Sequence, residues 1–112
     1  MKDIQFHLER ILSAIEDIES YKSGMDLAAF QSDDKTLSAT ILKLEIIGEA
    51  ARRIPDAVRK LHPEVPWQEL ADRGEALIRR YREVKPQQVW ETITKDLPTL
   101  KLHLRRILEE NQ

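Results

Sequence analysis

Apolar residues return every three or four positions along almost the whole chain, and that rhythm limits it to helices. Ile4, Leu8, Ile11, Ile15 and Ile18, widened by Leu12, form one stripe of an amphipathic helix from Asp3 to about Tyr21. Lys22-Ser23-Gly24 ends it, and Met25 to Phe30 reads as an irregular turn or a short helical piece. Asp33 or Asp34 then offers a side-chain acceptor to the free N–H groups of a second helix, which runs to about Ile54. Here Leu37, Ile41, Leu44, Gly48 and Ala51 form one apolar row, and Ile47, Ala50 and Ile54 another. A helix apolar on two sides is covered on two sides, so it is central or also lines a dimer interface. Gly48 costs about 1 kcal/mol of helix propensity, which close approach of another helix would explain.

The prolines divide the rest. Pro55 precedes a short helix, Asp56 to Leu61. His62-Pro63-Glu64-Val65-Pro66 is a stiff connector, because each proline pushes its predecessor out of the α region. A third long helix is expected from Trp67 to about Glu83, with Leu70, Leu77, Ile78 and Tyr81 facing inward. The last, Gln87 to about Leu108, buries Val89, Ile93, Leu97, Leu100, Leu104 and Ile107, and Pro98 should kink it or remove a backbone hydrogen bond. No stretch alternates as a strand does. The fold expected is all-α: one domain over residues 1–112, with four main helices and a short connecting helix.

With 5% aromatic residues the core must be mostly Leu, Ile and Ala. The absence of cysteine excludes disulfides and thiolate metal sites. The charged MKDIQFHLER start has no apolar leader core, and no apolar run approaches the roughly 20 residues of a membrane span. A cytoplasmic location without membrane attachment is therefore expected. At a net charge of −2, attraction to nucleic acid must come from a local patch, and Arg73, Arg79, Arg80 and Arg82 supply one, with Lys85 behind them. Guanidinium groups match phosphate oxygens bidentately. The plainer reading is a solvated surface pairing with Asp72, Glu75 and Glu83. At about 100° per residue, Arg79 and Arg82 are neighbours while Arg80 points away.

Other chemistry is thin. His7, His62 and His103 are far apart, and none belongs to a zinc-type H-E-x-x-H pair. His7 and His103 border apolar stripes and read as core-edge residues. Glu45 and Glu49, followed by Arg52 and Arg53, read as a charge network along an exposed strip. No metal site and no cofactor are implied.

Four stretches carry a resemblance: EIIGEAARRIP from Glu45, HPEVPW from His62, LIRRY from Leu77 and VWETITKDLP from Val89. In this order and spacing the chain resembles the HepT-like branch of the HEPN superfamily. The resemblance implies an up-and-down helical bundle, a homodimer and a prokaryotic toxin–antitoxin setting. In that setting the toxin is a metal-independent ribonuclease, and a minimal nucleotidyltransferase antitoxin silences it by attaching AMP to a tyrosine.

The family's motif, R-N-x-x-I-H-x-Y, places its tyrosine on Tyr81, its histidine on Arg79, its asparagine on Glu75 and its arginine on Gly74. Of those four, the tyrosine alone is kept. Metal-free RNA cleavage needs a group to take the 2′-OH proton, another to protonate the leaving 5′-oxygen, and a cation for the phosphate. Arg79 can supply the charge but cannot exchange the proton, and Arg73, one position along, can replace the missing arginine. The sequence therefore points to a HepT-like domain without ribonuclease activity. It would bind a nucleotidyltransferase, RNA or a nucleotide in a dimer cleft lined by Arg73, Arg79 and Tyr81, with Tyr81 as AMP acceptor. The alternatives are an active ribonuclease using a relocated histidine, His62 or His103, and a purely structural helical module.

Overall fold

The computed structural model describes residues 2–110. Every element among them is helical: α1 (Lys2–Lys22), α2 (Leu27–Gln31), α3 (Asp34–Arg52), α4 (Asp56–Leu61), α5 (Trp67–Arg79), α6 (Pro86–Glu91) and α7 (Leu97–Glu110). A 3₁₀ turn, Tyr81–Glu83, follows α5, and a π-helical turn, Thr92–Asp96, joins α6 to α7 as one bent helix. The four long helices are those the apolar rhythm predicts. The open segment after Gly24 is the short helix α2.

The ends follow local chemistry. Gly24 takes φ +77°, a left-handed conformation glycine adopts freely, and stops α1. Asp33, of the two candidates, caps α3: its carboxylate accepts from Thr36 N at 2.9 Å and Thr36 Oγ1 at 2.8 Å. These two hydrogen bonds hold its carboxyl below the usual carboxylate range. Pro98 has no N–H, and its ring would meet the carbonyl one turn back in a regular helix. The chain widens the preceding turn, and Leu97 N–H donates five residues back to the Thr92 carbonyl.

Helix α3 is central, packed by α1 on one side and α5 on the other, while α1 also carries α7. Ion pairs Lys101–Glu19 (2.7 Å) and Arg105–Glu16 (3.5 Å) set α7 antiparallel to α1. The core is aliphatic with two aromatic anchors, Phe30 and Trp67, and all six residues predicted to face inward on the last helix are buried. The α5 expectation needs correction. The row it buries is Trp67, Ala71 and Gly74, with Leu70 and Leu77 half-buried, whereas Ile78 and Tyr81 are exposed. The helix also ends at Arg79 rather than Glu83, so Tyr81 leaves its register.

The cause is a close crossing at Gly48, where the sequence asks for one. A Cβ on Gly48 would lie 2.7 Å from the Leu70 carbonyl oxygen and 3.2 Å from Gly74 Cα. A Cβ on Gly74 would lie 3.1 Å from the Leu44 carbonyl oxygen. Backbone meets backbone there, which only glycines allow. The pairing of 48 with 70 and 74 with 44 also makes α5 antiparallel to α3.

Arg59 closes the far end of α3, a role with no signal in the sequence. Its guanidinium donates to the carbonyls of Ile54 (3.0 Å) and Ala51 (3.0 Å) and to Gln68 Oε1 (3.1 Å). Arg59→Ala should lower the unfolding free energy by about 1.5–3 kcal/mol, the worth of charge-assisted bonds to the Ile54 and Ala51 carbonyls at the helix end. Arg59→Lys should recover little of it, because an ammonium cannot span three acceptors as a planar fork does. Denaturant titration of both variants checks this, and a Lys variant as stable as wild type would refute it.

Candidate functional site

Two surfaces flank α5, and the predicted site residues divide between them. The outer surface is built from the Ser38, Leu42, Glu45 and Glu49 stripe of α3 and the Glu75, Ile78 and Arg79 side of α5. Charges cover one end of it. Glu49 accepts from Arg52 at 2.8 Å and Arg53 at 3.0 Å, while Glu75 faces Arg52 and Arg79 at 3.4 Å each. This is the expected exposed network, extended across to α5. Beside it Leu42 (52% exposed), Ile78 (46%) and Tyr81 (48%) are bare. The Tyr81 hydroxyl is hydrogen-bonded to that of Ser38, so the phenol lies along α3.

The second surface is a groove between α5 and the bent α6–α7 helix, with α3 as its floor. It consists of two adjoining hollows of about 560 and 290 Å³. Leu44, Leu77 and Thr92 line both, and Arg73 reaches across to Asp96 at 3.0 Å while also holding Glu69 at 2.5 Å. Arg80 and Lys95 stand at the rim of the larger hollow, and His103 lines the smaller one.

The structure therefore brings Glu75, Arg79 and Tyr81 together on the outer face and puts Arg73 and Arg80 on the groove side. A single cleft lined by Arg73, Arg79 and Tyr81 does not form within one chain. Arg73 and Arg79 have carboxylate partners, whereas Arg80, Arg82, Lys85 and Lys95 have none among the described residues. Of the acids expected to neutralise the cluster, Glu75 does so, while Asp72 accepts from Gln68 instead. Gly74 is sealed in the α3–α5 crossing.

No histidine approaches the outer face. His62 lies in the connector, its Nδ1 3.7 Å from Glu64, and its carbonyl accepts from Trp67 Nε1 at 3.0 Å. His7 is half-buried on α1, with Nδ1 unpartnered among the described residues. Among the described residues no cluster of three His, Cys, Asp or Glu suited to a metal occurs, and no helix is long and apolar enough to cross a membrane. Ser38, Lys95 and Asp96 belong to these surfaces through tertiary packing alone, and no spacing in the sequence marks them.

A family model described as "Ribonuclease HepT-like" matches residues 11–107, nearly the whole helical bundle just described. The chain belongs to the HepT-like ribonuclease family. It is 43% identical over 95 residues to a Thermococcus cleftensis protein named "Probable ribonuclease HepT", covering 85% of this chain and 86% of that one. A Caldanaerobacter subterraneus protein provisionally named as an RNase is 35% identical over all 112 residues of both. A Methanocaldococcus jannaschii protein, named as a gamma-glutamylcyclotransferase and provisionally an RNase, is 37% identical over 109 residues; this HepT-like chain spans 49% of its length. No solved structure matches the chain.

Within the HepT-like frame, the outer face offers a fixed cation at Arg79, a carboxylate at Glu75 and a phenol at Tyr81. It can hold an anion and present a hydroxyl. It has no histidine among the described residues.

Proposed function

We propose that this chain is a non-catalytic HepT-like HEPN domain of a toxin–antitoxin pair, acting in the cytoplasm by binding a minimal nucleotidyltransferase, RNA or a nucleotide. The observation that carries the reading is Arg79, ion-paired to Glu75, at the place of the proton-transferring histidine. A guanidinium stays protonated, so phosphate binding is kept while proton transfer is lost, a deficit worth about 10²–10⁴-fold in rate. Tyr81, half exposed at the rim of the same face, is the hydroxyl a nucleotidyltransferase would modify with AMP.

The exposed Leu42 and Ile78 would be the centre of a homodimer interface, with Tyr81 at its rim and the Arg52, Arg53 and Glu49 network at its edge. Leu42→Glu/Ile78→Glu should then convert a dimer to a monomer in sedimentation while leaving helical content unchanged. A wild-type chain that sediments as a monomer at micromolar concentration would remove this part of the reading.

The direct test is cleavage of single-stranded RNA in a chelator, where this chain should do no better than buffer. One observation favours a second reading, an active ribonuclease: His103 and Arg73 line the same groove. Chelator-resistant cleavage that disappears in His103→Ala would establish it and overturn the non-catalytic proposal.

A further inference from the structure

The groove between α5 and α6–α7 lies apart from the motif face, and its charges differ in kind. On the motif face Arg79 is paired with Glu75. At the larger hollow Arg80 and Lys95 are exposed and free of carboxylate partners among the described residues. Arg82 and Lys85 continue this unpaired set along the chain just past α5. Below the two rim cations the floor is apolar, formed by Leu44, Leu77, Val84 and Val89. A volume of about 560 Å³ lies in the range of small-ligand sites.

We propose that this hollow is a subsite for one unstacked nucleotide of single-stranded RNA, with its base on Leu77 and Val84 and its flanking phosphates on Arg80 and Lys95. The inference rests on the RNA-binding reading above and names where on the surface the strand would run. Single-stranded RNA is recognised by splaying bases out of the stack into pockets while cations follow the backbone; this hollow has the cations and, in place of an aromatic platform, the aliphatic Leu77 and Val84. Glu83 and Glu91 also stand at the rim. They can accept from ribose hydroxyls or exocyclic amines, and they keep the hollow near neutral, so that base contact counts alongside charge.

The test is fluorescence anisotropy with a short labelled oligoadenylate and a matched strand carrying one abasic residue, titrated at several salt concentrations. Both cations are exposed, so Arg80→Ala/Lys95→Ala should melt with the wild type. It should bind the intact strand about tenfold or more weakly, with a salt slope shallower by about 1.4. Wild type should prefer the intact over the abasic strand, and Val84→Ala should narrow that preference. An intact strand bound equally by wild type and the double variant, or a wild type indifferent to the abasic residue, overturns the subsite and leaves RNA binding standing. A wild type that binds no oligoadenylate overturns the RNA reading, and the subsite with it.

Discussion

Gly74→Arg is expected to destabilise this chain by about 2 kcal/mol or more, although it restores the family's motif residue. Any side chain at 74 places a Cβ 3.1 Å from the Leu44 carbonyl oxygen, 3.2 Å from Gly48 Cα and 3.3 Å from Glu45 Cα. All three are backbone atoms and cannot rotate aside, so α3 and α5 must separate. Overpacking of this kind costs about 1–3 kcal/mol and occasionally more. Against it stands the roughly 1 kcal/mol that a mid-helix glycine forgoes in helix propensity. The clash wins, because separating the helices also uncovers Ala71 and loosens Leu44 and Leu70 along the same contact. A melting temperature lower by about 10 °C follows for a domain of this size. Gly48→Ala tests the same crossing from α3, where the Cβ would lie 2.7 Å from the Leu70 carbonyl oxygen. Two variants melting with the wild type would mean the crossing opens freely. Confirmed, the effect means that the α3–α5 crossing holds position 74 as glycine.

The reach of the sequence follows from what apolar spacing can and cannot report. Helices α1, α3 and α7 carry wide stripes of large side chains, so their extent and buried faces are legible, down to Gly48 as a point of close approach. Helix α5 is read with the wrong inner face because its packing row is small: Ala71 and Gly74 add little hydrophobicity, while Ile78 and Tyr81 add much and face outward. Large apolar residues signal burial only where a neighbour covers them, and none among the described residues covers this side. Pro98 announces a disturbance without telling its form, a widened turn rather than a sharp kink. The motif positions are legible through resemblance, but their partners are not. Arg73 meets Asp96 and Arg52 meets Glu75 across 23 residues of sequence, and the Tyr81–Ser38 contact spans 43. The division of the arginines between two surfaces depends on which side of α5 each occupies relative to α3, a relation that exists only in the folded chain.

The largest functional effect is expected from Glu75→Asn/Arg79→His, made with Gly74 left in place. Arg79→His supplies at that position, beside Glu75, a group that titrates near neutral pH. Glu75→Asn removes a carboxylate that would repel an incoming phosphate and that now faces Arg52 at 3.4 Å. Arg52 would keep only Glu49, at 2.8 Å, and would be the cation on the outer face able to take over from the absent motif arginine. Both positions are exposed and their ion pairs are surface pairs worth about 1 kcal/mol or less, so the variant should stay folded. Cleavage of single-stranded RNA in a chelator should rise about 10²-fold or more over the parent chain. Arg52→Ala in that background should then remove most of the gain, because an uncompensated phosphate charge would oppose the transition state. The pH profile should also change from flat to dependent on the new imidazole. A folded double variant that cuts no faster than its parent would place the deficit somewhere other than proton transfer, and the outer face would lose its standing as the remnant of a ribonuclease site.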